Sequence, residues 1–147
     1  MRRIDVNDLQ KHLPRMGRRI VAALRHVMKA EGVAAYDLSV ALLDDRGIRR
    51  LNRRHLGHDY ATDVLSFRLD GGTPGEPLTG EILLGAERAV KMARRLHADP
   101  EAELLLYAVH GGLHLVGYDD HGTRQARAMY ARQAEHLAAL GVAAARV

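Results

Sequence analysis

A largely apolar segment that ends in two histidines constrains this chain more than any other part of its sequence. Asp99-Pro100-Glu101 has the residues that start a helix, namely a capping aspartate, a proline at the first helical position and an acid in the first turn. From there apolar residues continue into His110 without a helix breaker: Leu104, Leu105, Ala108 and Val109. We therefore predict a buried helix with histidines at its C-terminal end.

The two histidines of this segment have the spacing of a metal site. His110 and His114 are four residues apart, so on a helix their side chains lie on the same face. Gly117 lets the chain leave the helix in a conformation that other residues resist, and one of residues 119–121 can then return as a third ligand. Three protein ligands leave a position for water, as in catalytic zinc sites. The pattern predicts a metal-dependent hydrolase.

The residue after the first histidine argues against one class of hydrolase. A zinc peptidase of the H-E-x-x-H type has its general-base glutamate at this position, where the chain has Gly111. Water would then have to be activated by the ion itself, whose charge lowers the pKa of bound water to about 7, or by another acid. Glu81 and Asp119 are the candidates for that acid.

Basic residues are concentrated in one short segment. The chain has a formal net charge of +4, and almost all of its positive charge is arginine, which suits bidentate contacts with phosphate. Biased codon usage can also enrich arginine, so composition alone leaves the partner open. Apolar residues predict a short helix over residues 46–55, ended by Gly57, on which arginines crowd: Arg46, Arg49, Arg50, Arg53 and Arg54. Because these charges repel one another without anions or acids nearby, we predict nucleic-acid contacts here.

Patterns elsewhere predict a mixture of helices and strands. Helical spacing or composition marks residues 14–31, 86–96 and 123–140. Alternating or short apolar runs predict strands at residues 38–42, 64–67 and 80–84. The last two strands flank a loop containing residues 71–75, so we expect them to pair antiparallel.

Length and composition limit the class of protein. The 147 residues suit one domain, 1–147, and contain no cysteine, so a metal must be held by His, Asp or Glu. No apolar run approaches the ~20 residues of a membrane span, and no apolar segment follows the N-terminal arginines. We expect a soluble, cytoplasmic protein without membrane contacts.

Three stretches resemble one family. Residues 110–119, HGGLHLVGYD, closely resemble the H-G-x-L-H-L-x-G-Y-D-H signature of the YbeY family of bacterial metal-dependent endoribonucleases. Leu51-Asn52 through residues 62–67, TDVLSF, resembles the family's L-N…T-D-V-L-S-F segment, and Gly80-Glu81-Ile82 matches its G-[DE]-I. The stretches occur in the family's order.

This resemblance implies both a fold and an activity. The implied fold is α/β, with a small mixed sheet of about four strands, about five helices around it, and the metal site at the end of a central helix. The implied activity is cleavage of single-stranded RNA in 16S rRNA 3′-end maturation and ribosome quality control, with rRNA and the ribosome or small subunit as partners. The implied cofactor is one zinc-type ion per chain, for which Zn²⁺ is the first candidate and other divalent ions are the alternative. Apart from the resemblance, our own hypothesis is that arginines of the segment 46–54 hold phosphates that flank the cleavage site, with Arg49, Arg50, Arg53 and Arg54 as the RNA-binding candidates.

The family's site residues can be assigned to positions of this chain, and the chain departs from the family's pattern at one of them. His110 and His114 match metal ligands, and we take His114 and Asp119 as catalytic candidates. The family's third histidine slot holds Asp120, and His121 comes one residue late. Zinc accepts both imidazole nitrogen and carboxylate oxygen; we favour Asp120 because it needs no change of register, with His121 as the alternative.

Several alternatives stay open. Some family members carry a basic residue where this chain has Leu56. Thr62, Ser66 and Asn52 either orient an RNA strand or make ordinary loop and cap hydrogen bonds. The chain could also be an RNA- or ribosome-binding protein with a structural metal, or a metal-dependent hydrolase of another substrate.

Overall fold

Four strands and five helices follow one another in the order β-α-β-α-β-β-α-α-α through the residues that the computed structural model describes, 1–58 and 62–143. The strands are β1 (Arg2–Asp8), β2 (Tyr36–Leu43), β3 (Val64–Arg68) and β4 (Leu78–Gly85). The helices are α1 (Gly17–Ala30), α2 (Asp45–Leu56), α3 (Ala86–Leu96), α4 (Pro100–Leu115) and α5 (Thr123–Ala139). The predicted α/β fold, with about four strands and about five helices, is confirmed.

The four strands form one mixed sheet in the order β1-β2-β4-β3. β1 pairs parallel with β2, and β2 pairs parallel with β4. β3 pairs antiparallel with β4, with Val64 opposite Leu84 and Arg68 opposite Gly80. The antiparallel pairing predicted for these two strands is therefore confirmed.

Strand β1 is absent from the prediction. It lies at the edge of the sheet, and only Ile4 and Val6 of its residues pack against the main core. Two apolar residues in alternation give a weak strand pattern in a segment rich in charge. Hydrogen bonding to β2, from Arg2 opposite Tyr36 to Asp8 opposite Leu42, is what makes this segment a strand.

Side chains of aspartate and glutamine set two helix starts. The predicted helix over 14–31 begins later, at Gly17, because Gln10 accepts hydrogen bonds from the backbone N–H groups of His12 (2.8 Å) and Leu13 (2.7 Å) and holds a turn there. Asp44 caps α2 by accepting from the backbone N–H of Gly47 at 2.8 Å.

The sheet buries both of its faces, against different helices. On one face β2 and β4 pack against α1 and α4, forming the main core. On the other face a smaller cluster joins Leu43 and Leu83 to Ile48 of α2. Since neighbouring residues of a strand point to opposite faces, α4 and α2 lie on opposite sides of the sheet.

Helix α4 is the central helix. It contacts α1, α3, α5, β3 and β4, and most of its residues are buried. These surrounding elements therefore fix the position of the histidine-bearing end of α4.

Among the described residues, no helix combines the length and hydrophobicity that a membrane crossing requires.

Candidate metal centre

The last turns of α4 bring two imidazole rings together, as their spacing predicts. The Nε2 atoms of His110 and His114 are 3.2 Å apart, and the ring centroids are 4.7 Å apart. Two aromatic nitrogens at this distance can share one proton or bind one cation. Both side chains are partly accessible, since 16% of the His110 side chain and 29% of the His114 side chain are exposed.

The turn after α4 brings a carboxylate back to these rings. Gly117 has a φ of 109°, which favours glycine, and the backbone N–H of Tyr118 donates to the Leu113 carbonyl at 3.0 Å. As a result the two carboxylate oxygens of Asp120 lie 3.9 Å from His110 Nε2 and 3.9 Å from His114 Nε2. One potential ligand atom from each of these three residues lies within 4.8 Å of the other two.

His121 has a different partner. Its Nδ1 lies 2.8 Å from Asp119 Oδ1, and 89% of its side chain is exposed. The hydrogen bond with Asp119 raises the pKa of His121, and the same bond lowers the pKa of Asp119. Asp119, Asp120 and His121 also have potential ligand atoms close together. With both histidines of α4, however, the structure groups Asp120 rather than His121, and this geometry favours Asp120 as the third ligand.

The surroundings of His110 favour a neutral ring in one orientation, which is the form that a metal ligand needs. Burial lowers its pKa, as does the nearby His114, and these effects outweigh the hydrogen bond with Gln133 and the charge of Asp120. Gln133 Oε1 lies 2.9 Å from Nδ1, so a neutral ring that donates from Nδ1 leaves the Nε2 lone pair facing the cluster. Metal-bound histidines are usually oriented by such an acceptor. Two imidazoles and a carboxylate are a donor set that zinc accepts.

Close packing explains why position 111 is a glycine, the residue that stands where an H-E-x-x-H peptidase has its glutamate. A Cβ atom there would lie 2.9 Å from Cγ2 of Ile82 and 3.0 Å from Cγ2 of Val64. The Ser66 hydroxyl also donates to the Gly111 carbonyl at 3.1 Å. The helix approaches the sheet too closely here for a side chain, so this position cannot carry the glutamate of an H-E-x-x-H peptidase without displacing β3 or β4.

A cleft of about 900 Å³ opens beside the cluster. Its walls come from β3 and the two residues before it, from α4 and from α5, and Asp120 also lines it. Tyr130 of α5 stacks on the ring of His110, with centroids 6.4 Å apart and planes at 23°, while 49% of Tyr130 is exposed. The cleft therefore combines the cluster with an accessible aromatic face.

Arg68 is the one arginine or lysine among the described residues that line the cleft. Its guanidinium binds both carboxylate oxygens of Asp70, at 2.9 and 3.1 Å, and donates to the Leu115 carbonyl at 3.3 Å. The hydrogen bond from Arg68 holds the pKa of Asp70 well below its usual range. The cation is therefore fixed at the C-terminal end of α4 while 45% of its side chain stays exposed.

The predicted RNA-binding arginines lie elsewhere. Arg49, Arg50, Arg53 and Arg54 are exposed on α2, across the sheet from α4, and together with Arg46 they surround a separate shallow depression. Glu81, one of the proposed acids, also faces away from the cleft, beside Ser39 and Asn7. The structure therefore does not bring these residues together with the histidines.

Only part of the L-N…T-D-V-L-S-F segment lies at the cleft, and its first residues belong to α2. Thr62, Asp63 and Ser66 line the cleft, and the Thr62 hydroxyl donates to the Asp63 carboxylate at 3.2 Å. Asn52 is buried within α2, and Leu56 is 47% exposed at the end of that helix. The intervening residues 59–61 lie outside the described part of the chain.

Sequence reasoning missed Gln133, Tyr130, Asp63 and Arg68 as site residues. Gln133 had a detectable signal, because it interrupts an apolar stripe of α5 between Met129 and Leu137, which are both buried. A polar residue in such a stripe needs a buried partner, and here the partner is His110.

Comparisons with known proteins identify the family to which the chain belongs. The family described as "Endoribonuclease YbeY" matches residues 4–141. Endoribonuclease YbeY of Chlorobium phaeobacteroides is 39% identical over 117 residues, covering 80% of this chain and 83% of that protein. Endoribonuclease YbeY of Moorella thermoacetica is 38% identical over 152 residues, covering 94% of this chain and 97% of that protein.

A solved structure is similar as well. The solution structure of TM1509 from Thermotoga maritima superimposes with a TM-score of 0.68 at 27% identity, covering 93% of this chain and 88% of that one. The family match begins within β1, at residue 4, and ends at residue 141, just beyond α5. The chain therefore belongs to the YbeY family of endoribonucleases, which are hydrolases that act on RNA.

Proposed function

We propose that this protein is a metal-dependent endoribonuclease that cleaves single-stranded RNA at the cleft beside His110, His114 and Asp120. The observation that carries the proposal is the convergence of these three side chains in an open cleft, in a chain of the YbeY family. The cleft supplies a metal-ligand set and an arginine for phosphate. It also supplies an exposed aromatic ring for a base.

The ligands of the proposed ion are His110, His114 and Asp120, with His121 as the alternative third ligand. The cofactor that we propose is one Zn²⁺ per chain, because two nitrogens and one oxygen suit this ion and leave a position open. Such an ion polarises a phosphate oxygen and favours deprotonation of a water or of a ribose hydroxyl.

The chain's own residues bind and orient the substrate. Arg68 is fixed by Asp70, and its remaining donors are available to a phosphate oxygen of the RNA. Tyr130 exposes nearly half of its surface beside His110, so an unpaired base can stack there. Stacking needs a base that is free of its duplex, which supports a single-stranded substrate.

Two carboxylates are candidates for moving the proton. Asp119 was the residue we expected, and its carboxylate is bonded to His121 outside the cleft lining. Asp63 lines the cleft, and its negative charge acts to raise the pKa of His110. If Asp63 is the acceptor, Asp63→Asn removes cleavage while Asp119→Asn retains it; the opposite result assigns the role to Asp119. His114 serves as a ligand of the reacting centre in either case.

We propose 16S rRNA 3′-end maturation and ribosome quality control in the cytoplasm as the biological setting, with the small ribosomal subunit as partner. The family membership and the formal net charge of +4 support an RNA substrate. A 16S precursor with an extended 3′ end should be shortened by the parent protein in the presence of small subunits.

The decisive experiment compares His114→Ala with His12→Ala. His12 is a partly exposed histidine near Glu87 and lies outside the cleft, so its variant controls for loss of an imidazole. We expect about one zinc ion per chain in the parent and in the His12 variant, both of which cleave an unstructured RNA oligonucleotide faster than a duplex. The His114 variant should lose both zinc and cleavage.

The proposal fails if His114→Ala cleaves RNA as fast as the parent. Chelation separates the enzyme from a binding protein with a structural metal. In the enzyme, the chelated chain stays folded and loses turnover. In the binding protein, chelation unfolds the domain, and the metal-loaded chain binds RNA without cleaving it.

A further inference from the structure

The outward face of α2 carries a row of arginines that the cleft does not use. Arg46, Arg50 and Arg53 are four and three residues apart, so they project from one side of the helix, and Arg54 extends the row. All four are exposed. The opposite side of α2 is fixed by Ile48, which packs against Leu43 and Leu83 of the sheet. The packing of α2 therefore directs this arginine face to solvent.

Nearby acids are engaged elsewhere. Asp44 caps the helix by accepting from Gly47, and Asp45 pairs with Lys91 at 2.6 Å. Glu87 accepts from the backbone N–H of Asp45 and also pairs with Lys91, at 3.2 Å. Within residues 1–58 and 62–143, no carboxylate forms an ion pair with Arg46, Arg50, Arg53 or Arg54. The positive charge of this face is therefore available to an external anion.

The arginine face and the metal cleft lie on opposite sides of the sheet. The cleft is lined by residues from α4, α5 and β3, whereas α2 packs on the far face through Leu43 and Leu83. An RNA segment held at the histidines therefore lies on the other side of the sheet from α2. The two surfaces need either two RNA segments or one molecule long enough to pass around the sheet.

We propose that the arginine face of α2 is a second RNA-binding surface, which holds the phosphate backbone of a segment remote from the cleavage site. This inference rests on the proposed function, because it assigns to the substrate a length and structure beyond what the cleft contacts. Successive turns of the helix present guanidinium groups about 5.4 Å apart along its axis. Arginine forks make bidentate contacts with phosphate.

The chemistry of the face favours RNA over an acidic protein. Protein interfaces have apolar or aromatic centres from which charged residues are depleted. The depression on α2 is lined by arginines alone among the described residues. Phosphate recognition needs no apolar centre and draws on sequence-independent charge. The segment it binds is therefore recognised by its backbone rather than by its bases.

The test compares two triple variants that remove the same charge. Arg46→Gln/Arg50→Gln/Arg53→Gln neutralises the arginine face. The matched control, Arg15→Gln/Arg18→Gln/Arg25→Gln, neutralises three exposed arginines before and on α1. The probes are a transcribed RNA with a hairpin beside a single-stranded tail, and a short unstructured oligonucleotide. Binding is measured by fluorescence anisotropy at several salt concentrations.

We expect the α2 variant to bind the hairpin RNA at least about 10-fold more weakly. Its slope of log K against log salt should fall by about 2–3, because each lost phosphate contact removes about 0.7–0.9. Cleavage of the short oligonucleotide should stay within about twofold of the parent. The control variant should change the slope by less than about one.

Four results overturn the inference. They are unchanged hairpin binding by the α2 variant, an equal loss in the control variant, an equal loss of short-oligonucleotide cleavage, and equally strong displacement of the RNA by polyglutamate. The last result indicates an acidic protein partner. If the parent binds hairpin RNA through α2 but cleaves nothing, the proposed enzyme function fails while the second surface stands, so the two failures are distinguishable.

Discussion

Gly111 lies where α4 packs against β3 and β4, and its replacement by alanine tests how closely the fold holds the metal centre to the sheet. The added methyl group would meet Cγ2 of Ile82 at 2.9 Å, Cγ2 of Val64 at 3.0 Å and the Ser66 hydroxyl at 3.1 Å. Both methyl groups are on branched side chains near the backbone, which cannot rotate away freely. Removing this steric clash therefore requires movement of α4 or of strands β3 and β4.

Gly112 provides an internal control on the same turn. Its Cβ would meet Cδ2 of Leu24 at 3.0 Å, which is the far end of a flexible side chain. Both substitutions gain about 1 kcal/mol from the better helix propensity of alanine, so this contribution cancels in their comparison. What remains is the cost of overpacking at Gly111, about 1–3 kcal/mol.

Urea denaturation of the metal-free protein measures the two free energies of unfolding directly. We expect Gly111→Ala to be less stable than Gly112→Ala by about 1–3 kcal/mol, with a melting temperature lower by about 2–4 °C for each kcal/mol. Zinc binding should also weaken in the Gly111 variant, because movement of α4 displaces His110 and His114. Equal stability of the two variants would refute the close packing inferred here.

Two further predictions concern buried polar groups. Gln133→Ala should weaken zinc binding about 10–100-fold by calorimetry, because His110 loses the acceptor that orients it; unchanged affinity would rule out this role. Glu31→Gln should cost about 1–3 kcal/mol at pH 7 by urea denaturation. Burial alone would raise the pKa of Glu31, but hydrogen bonds from Arg132, His136 and Tyr118 lower it below its ordinary 4.5. This stabilisation is present above pH 4.5 and is lost as pH falls through the folded-state pKa, so parent and variant should converge in acid; a constant difference would contradict the assignment.

Local patterns in the sequence were enough for the parts of the site that lie within one helix. The capping residues Asp99 and Pro100 mark the start of α4, and the structure begins the helix at Pro100. The four-residue spacing of His110 and His114 places both on one face of any helix. These features depend on neighbouring residues along the chain, so no knowledge of the packing was needed.

The third candidate ligand was underdetermined for a physical reason. Asp120 and His121 are adjacent and chemically competent, and the choice depends on how the turn after Gly117 closes. In the structure the backbone N–H of Tyr118 bonds to Leu113, which places Asp120 beside the histidines and leaves His121 with Asp119. Such a turn is specified by several weak interactions together, which no residue spacing reveals.

By itself, then, the sequence determined the central helix, the histidine pair, the missing peptidase base and the family. Tertiary structure decided which distant elements share the site: α5 brings Gln133 and Tyr130 to His110, and β3 brings Arg68. It also put the arginines of α2 across the sheet from the cleft. Helix periodicity relates only residues within an element, whereas strand order and the face on which each helix packs follow from burying the apolar surfaces of the whole chain together.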